Sequence, residues 1–105
     1  MASTEGFIEF VIEQIGDIGN VRYRKMFGEY MVYVNDKPIL LVCDDTVYVK
    51  MLDEIKTRMQ DAETSTPYKG AKPHYILDIE NQEHTVEIAR ILELVTPLPK
   101  PKKRA

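Results

Sequence analysis

The stretch VRYRKMFGEYMVYVNDKPILLVCDDTVYVKM, residues 21–51, sets the fold class. Its residues are largely β-branched or aromatic, they alternate with period two, and turn-forming residues break them into four short runs. Val21 to Phe27 and Tyr30 to Val34 are separated by Gly28-Glu29. Asn35-Asp36-Lys37 leads into Pro38 to Cys43, and Asp44-Asp45 into Thr46 to Met51. Connections this short join antiparallel neighbours, so the stretch predicts four sequential antiparallel strands.

On either side the period becomes helical. Phe7, Ile8, Val11, Ile12 and Ile15 place one apolar stripe on a helix over about residues 4–15, with Ser3 or Thr4 as its cap and Gly16 suited to the left-handed position after its last turn. Leu52, Ile55, Met59 and Ala62 predict a second, short helix, and Thr, Ser, Pro and Gly make residues 63–73 a loop. His74 to Ile79 reads as a fifth strand. Asn81 then caps a last helix with Ile88, Ile91, Leu92 and Val95 on its inner face and Glu87, Arg90 and Glu93 toward water, and Pro97 stops it. The order α-β-β-β-β-α-β-α describes an α+β two-layer sandwich: a largely antiparallel five-stranded sheet with helices on one face.

Length and composition agree with one domain. A chain of 105 residues, 44% hydrophobic and 30% charged, can bury one ordinary core and has no room for a second. Residues 1–96 form that domain. Residues 97–105, with three prolines and Lys100, Lys102, Lys103 and Arg104, read as a disordered basic tail. No apolar run has the length of a membrane span or the form of a signal peptide, and a single cysteine excludes an intrachain disulfide, so a cytoplasmic location is expected. Net charge is −3, but the tail holds four of the positive charges, so the remainder of the chain sums to −7. An acidic body disfavours broad nucleic-acid binding and leaves only local basic patches for it.

The run Arg24-Lys25-Met26-Phe27-Gly28 with Tyr30, preceded by Val21-Arg22-Tyr23 and followed by Tyr33 and Val47-Tyr48-Val49-Lys50, resembles the N-terminal domain of the TfoX/Sxy competence regulators over roughly residues 5–95. Glu29 and Met31 stand where that family's pattern often has glycine. The resemblance implies an α+β domain like those of secretion chaperones, and a role in transcriptional activation of DNA-uptake genes beside the cyclic-AMP receptor protein. Full-length members carry a second, helical domain, and this chain reads as the first domain standing alone.

Catalytic, cofactor and metal chemistry find no support in the residues. Cys43 closes an apolar run and precedes Asp44 and Asp45, whose charge disfavours a thiolate. His74 and His84 lack the companions of a zinc site, the adjacent Asp44 and Asp45 fit a turn, and Tyr68 to Pro73 lacks the spacing of a phosphate loop. No enzyme activity and no cofactor are expected. The alternation rule instead puts Arg22 and Arg24 on one face of the first strand, and Tyr48 and Lys50 on one face of the fourth. If helices cover only one side of the sheet, these four could share the other, a basic and aromatic surface suited to a protein partner. The expected partner is transcription machinery or a cyclic-AMP receptor-type regulator. The alternatives are weak, salt-sensitive nucleic-acid binding by this face and the tail, and a small enzyme or ligand binder. Homodimerisation through a sheet edge or face is left open.

Overall fold

The computed structural model describes residues 5–26, 29–67 and 69–97; of Met26 only the backbone is described. The cap expected at Ser3 or Thr4, Phe27 at the expected end of the first strand, Gly28 of the expected turn, and the tail beyond Pro97 lie outside these residues, while Glu29, expected in that turn, opens the second strand because it pairs with Met26. The element order is α1 (Glu5–Ile15), β1 (Val21–Met26), β2 (Glu29–Val34), β3 (Lys37–Cys43), β4 (Thr46–Lys50), α2 (Asp53–Lys56) running into a 3-10 turn (Thr57–Met59), β5 (Thr64–Ser65), β6 (His74–Leu77) and α3 (Gln82–Val95).

The strands form one six-stranded sheet in the order β1-β2-β3-β4-β6-β5, with every neighbouring pair antiparallel. The expectation of five strands therefore falls short by one. Thr64 and Ser65 pair with Tyr75 and His74 inside the predicted loop, and Ile76 donates its N–H to the Glu63 carbonyl at 2.8 Å. Two polar residues carry no periodicity, so their strand character comes from the edge of β6 and not from their own side chains.

The β2–β3 and β3–β4 hairpin turns are made by Asn35-Asp36 and Asp44-Asp45, all four residues with φ between 52° and 68°. Paired left-handed residues give a turn whose twist matches that of the flanking strands, and Asn and Asp tolerate the conformation better than most side chains. Between Val32 and Tyr33 the β2–β3 register shifts: Val32 faces Leu40 while Tyr33 faces Pro38, leaving Ile39 as an extra residue. Ile39, Leu40, Leu41 and Val42 are consequently all buried, so the middle of β3 is covered on both sides.

One face of the sheet carries the core. Tyr30, Val32, Val34, Leu40, Val42, Val47, Val49, Tyr75 and Leu77 pack against Ile8, Val11 and Ile15 of α1, Ile55 and Met59 after β4, and Ile88, Ala89 and Leu92 of α3. Each fully buried aliphatic side chain contributes about 1.5–3 kcal/mol relative to exposure. Helix α1 ends at Gly16, whose φ of 74° lets its N–H reach the Ile12 carbonyl at 3.2 Å. Helix α3 starts at Asn81, whose side chain accepts from the His84 N–H at 3.2 Å. Its inner stripe includes Thr85, whose hydroxyl donates to the Asp78 carbonyl and so is buried without an unmet hydrogen bond. Val95, expected inside, is partly exposed.

Glu93 does not simply face water. Its carboxylate accepts from the Asn35 side-chain amide at 3.2 Å and lies 3.3 Å from Lys37 Nζ, while Lys37 Nζ also donates to the Glu93 carbonyl at 2.8 Å. Asn35 in turn accepts from the Asn20 N–H and donates its own N–H to the Asn20 carbonyl. The β2–β3 hairpin is thereby tied to the end of α3 and to the loop before β1.

Candidate functional site

The face of the sheet opposite the helices follows from the register. Arg22 is paired with Tyr33 and Arg24 with Met31; Met31 is paired with Leu41, Leu41 with Tyr48, Tyr48 with Ile76 and Lys50 with His74. Directly paired residues in an antiparallel sheet project to the same side, so Arg22, Arg24, Tyr48 and Lys50 lie on one face. They do not form one cluster. Three strand spacings, roughly 14 Å, separate the arginines from Tyr48 and Lys50.

The two arginines differ in what they already hold. Arg22 Nε lies 3.2 Å from Asp36 Oδ1, and its guanidinium stands 4.7 Å from the centre of the Tyr33 ring. Arg24 is exposed and pairs with no carboxylate among the described residues. Of the family-motif residues, Lys25 projects to the other side of this edge strand and is exposed. Tyr30 is buried in the core with the Tyr23 ring edge-on at 5.5 Å.

Tyr48 is buried although it sits on the side without helices. Its phenol pKa is raised by burial first and then by Cys43 and Asp44, against the opposing effect of hydrogen bonds with Ser65 and Thr46. The His74 ring stands edge-on to Tyr48 at 6.4 Å. His74 Nδ1 lies 2.7 Å from the Lys72 carbonyl, and because a carbonyl can only accept, Nδ1 carries the proton in this contact. That bond is local, between the first residue of β6 and the residue two before it in the segment that leads into the strand. Gly70, at φ 88°, adopts there a backbone conformation that side-chain-bearing residues rarely take.

Between this segment and the strands lies a cavity of about 310 Å³, with Met31, Pro38, Leu41 and Tyr48 providing apolar walls and Lys50 and Lys72 the cations. Sequence reasoning placed Tyr48 and Lys50 on this face but missed the rest. The alternation Met31-Tyr33 marks them as outward residues and could have found Met31. Leu41 was hidden in a continuous apolar run, and Lys72 belongs to a loop with no period to read.

The remaining candidates for chemistry are accounted for structurally. The Cys43 thiol pKa is raised by burial first, then by Glu29 and Asp44, so the thiol stays protonated near neutral pH. Glu29, not Asp45, is the main charged neighbour responsible. Asp44 and Asp45 form the β3–β4 hairpin turn. Among the described residues, no three His, Cys, Asp or Glu side chains gather closely enough to hold a metal ion, and no helix is long and apolar enough to cross a membrane.

Comparison with known proteins agrees with the fold. The chain is 32% identical over 105 residues to an uncharacterized 12.7 kDa protein in the trpE 5′ region of Spirochaeta aurantia, an alignment covering 98% of this chain and 91% of that protein. The family model for the TfoX N-terminal domain matches residues 13–91, a span that contains all six strands, Arg22, Arg24, Tyr48 and Lys50. The chain belongs to the TfoX N-terminal domain family.

Proposed function

We propose that the protein is a non-catalytic regulatory module, linked to transcriptional control of the competence type, that works by binding a protein partner on the sheet face opposite its helices. The observation that carries this reading is the segregation of charge. A chain whose body is acidic places Arg22, Arg24, Lys50 and Lys72 around the apolar and aromatic surface that the helices leave uncovered. Arginine and tyrosine next to apolar side chains are the combination that concentrates binding energy at protein interfaces. A positive surface selects a negative partner and speeds its encounter. Family membership supports a component of the transcription machinery, or a cyclic-AMP receptor-type regulator, as that partner.

Affinity capture from a bacterial lysate, quantified by mass spectrometry, tests the reading. The wild-type chain is expected to retain a transcription component that an Arg24→Glu/Lys50→Glu variant loses by at least about tenfold. Both side chains are exposed, so their reversal should shift stability by no more than about 0.5 kcal/mol. Equal capture by both proteins contradicts the reading. Binding of duplex DNA at low salt, abolished by the same variant while no protein is captured, would replace it with direct nucleic-acid binding.

A further inference from the structure

The cavity beside Tyr48 has features that the docking reading does not use. Its apolar walls are Met31, Pro38, Leu41 and the Tyr48 ring, and its charged lining residues, Lys50 and Lys72, are both cationic. Elsewhere the apolar side chains of β2 to β4 are closed over by α1 and α3, whereas here the cover is the segment at Ala71 and Lys72. At about 310 Å³ the space is at the small end for a metabolite pocket.

We infer that this cavity is the seat for one large apolar side chain of the partner, and that carboxylates stand two residues before and two residues after that side chain in the partner's sequence. The inference rests on the docking reading and deepens it. Register supplies the spacing: Arg24 is opposite Met31 on the β1 side of the seat, and Lys50, two residues along β4 from Tyr48, lines its other side. The span from β1 to β4 is roughly 14 Å, which an extended peptide covers in about four residue steps. In an extended peptide, residues i, i+2 and i+4 project to one side. An acid-spacer-apolar-spacer-acid segment lying across the strands therefore presents a carboxylate to Arg24, its apolar side chain to the cavity, and a second carboxylate to Lys50 and Lys72. Charge complementarity selects this occupant over an apolar segment without acids, and over a nucleic acid, which brings no apolar anchor of that kind.

The test is a titration of the full chain, isotope-labelled at methyl groups and backbone amides, followed by NMR at low salt. The probes are acetyl-Asp-Thr-Phe-Thr-Asp-amide, the same peptide with alanine at its centre, and the same peptide with lysines at both ends. The phenylalanine-centred acidic peptide is expected to shift the Met31, Leu41 and Ala71 methyl signals saturably. The alanine-centred and lysine-ended peptides should bind at least about tenfold more weakly, and Ala71→Trp, which closes the mouth, should weaken the first peptide by a similar factor.

Equal affinity for the phenylalanine- and alanine-centred peptides, with shifts confined to Arg24 and Lys50, overturns the seat. So does tighter binding of the lysine-ended peptide. If no peptide binds while capture from lysate still depends on Arg24 and Lys50, the seat fails and the docking reading stands. Loss of that dependence removes the docking reading itself.

Discussion

Arg22 and Arg24 show how two like residues on one strand face come to have different roles. Arg22 is held by Asp36 and by the Tyr33 ring, so part of its capacity is already used within the chain. Arg24 pairs with no carboxylate among the described residues, and single replacement Arg24→Ala should lower partner capture more than Arg22→Ala, with neither changing the thermal midpoint by more than a few degrees. Larger loss from Arg22→Ala would contradict this ranking. Gly19 is a second residue-scale case. A Cβ there would meet the Asn35 side-chain amide at 2.8–2.9 Å, and that amide is held in place by Asn20 and Glu93. Gly19→Ala should destabilise the protein by about 1–2 kcal/mol, read as a lower midpoint in chemical denaturation. Period two was enough to put the four candidate side chains on one side of their strands. The Asn35-Glu93-Lys37 junction was not readable, because it joins residues 58 and 56 positions apart and nothing local in either segment signals the other.

Among the elements, those with a long regular period were the legible ones. Helix α1, helix α3 with its Asn81 cap, and strands β1 to β4 fall close to where apolar spacing and turn residues put them. Strand β5 was invisible because it is two polar residues long, and α2 is short because its helical turn tightens to 3-10 geometry after Lys56. The bulge at Ile39 was likewise hidden, since in a run of five apolar residues an extra one leaves the pattern unchanged. Asn81→Ala should destabilise by about 1 kcal/mol, because the His84 N–H loses its acceptor at the start of α3. Asn81→Ser should recover most of that loss, and equal denaturation midpoints for Ala and wild type would contradict the capping role.

For the whole molecule, pH links the junction, the core and the open face. Hydrogen bonds from Asn35 and Lys37 lower the Glu93 pKa, so its contribution to stability is present above its unfolded pKa and is lost as pH falls through the folded value. Glu93→Gln should flatten the acid limb of the stability profile below about pH 5. Burial raises the pKa values of Cys43 and Tyr48, so their contribution is present below the unfolded values and is lost as pH rises through the folded ones. Cys43→Ala/Tyr48→Phe should flatten the alkaline limb above about pH 9, measured by denaturation across the range. The candidate face was legible only in outline at this scale. Its membership came from strand alternation, but the cavity needed Ala71 and Lys72 to lie beside Met31, Pro38 and Leu41, a long-range juxtaposition with no local signature.

The central claim is that the partner meets the sheet face and not the helix layer. Site-specific photocrosslinking in a bacterial lysate tests it most directly, with a photoreactive phenylalanine analogue placed at Tyr33, on the open face, or at Arg90, exposed on α3. The account predicts a discrete adduct with a transcription component from position 33 and none from position 90. An adduct from position 90 alone, or equal adducts from both, would contradict it.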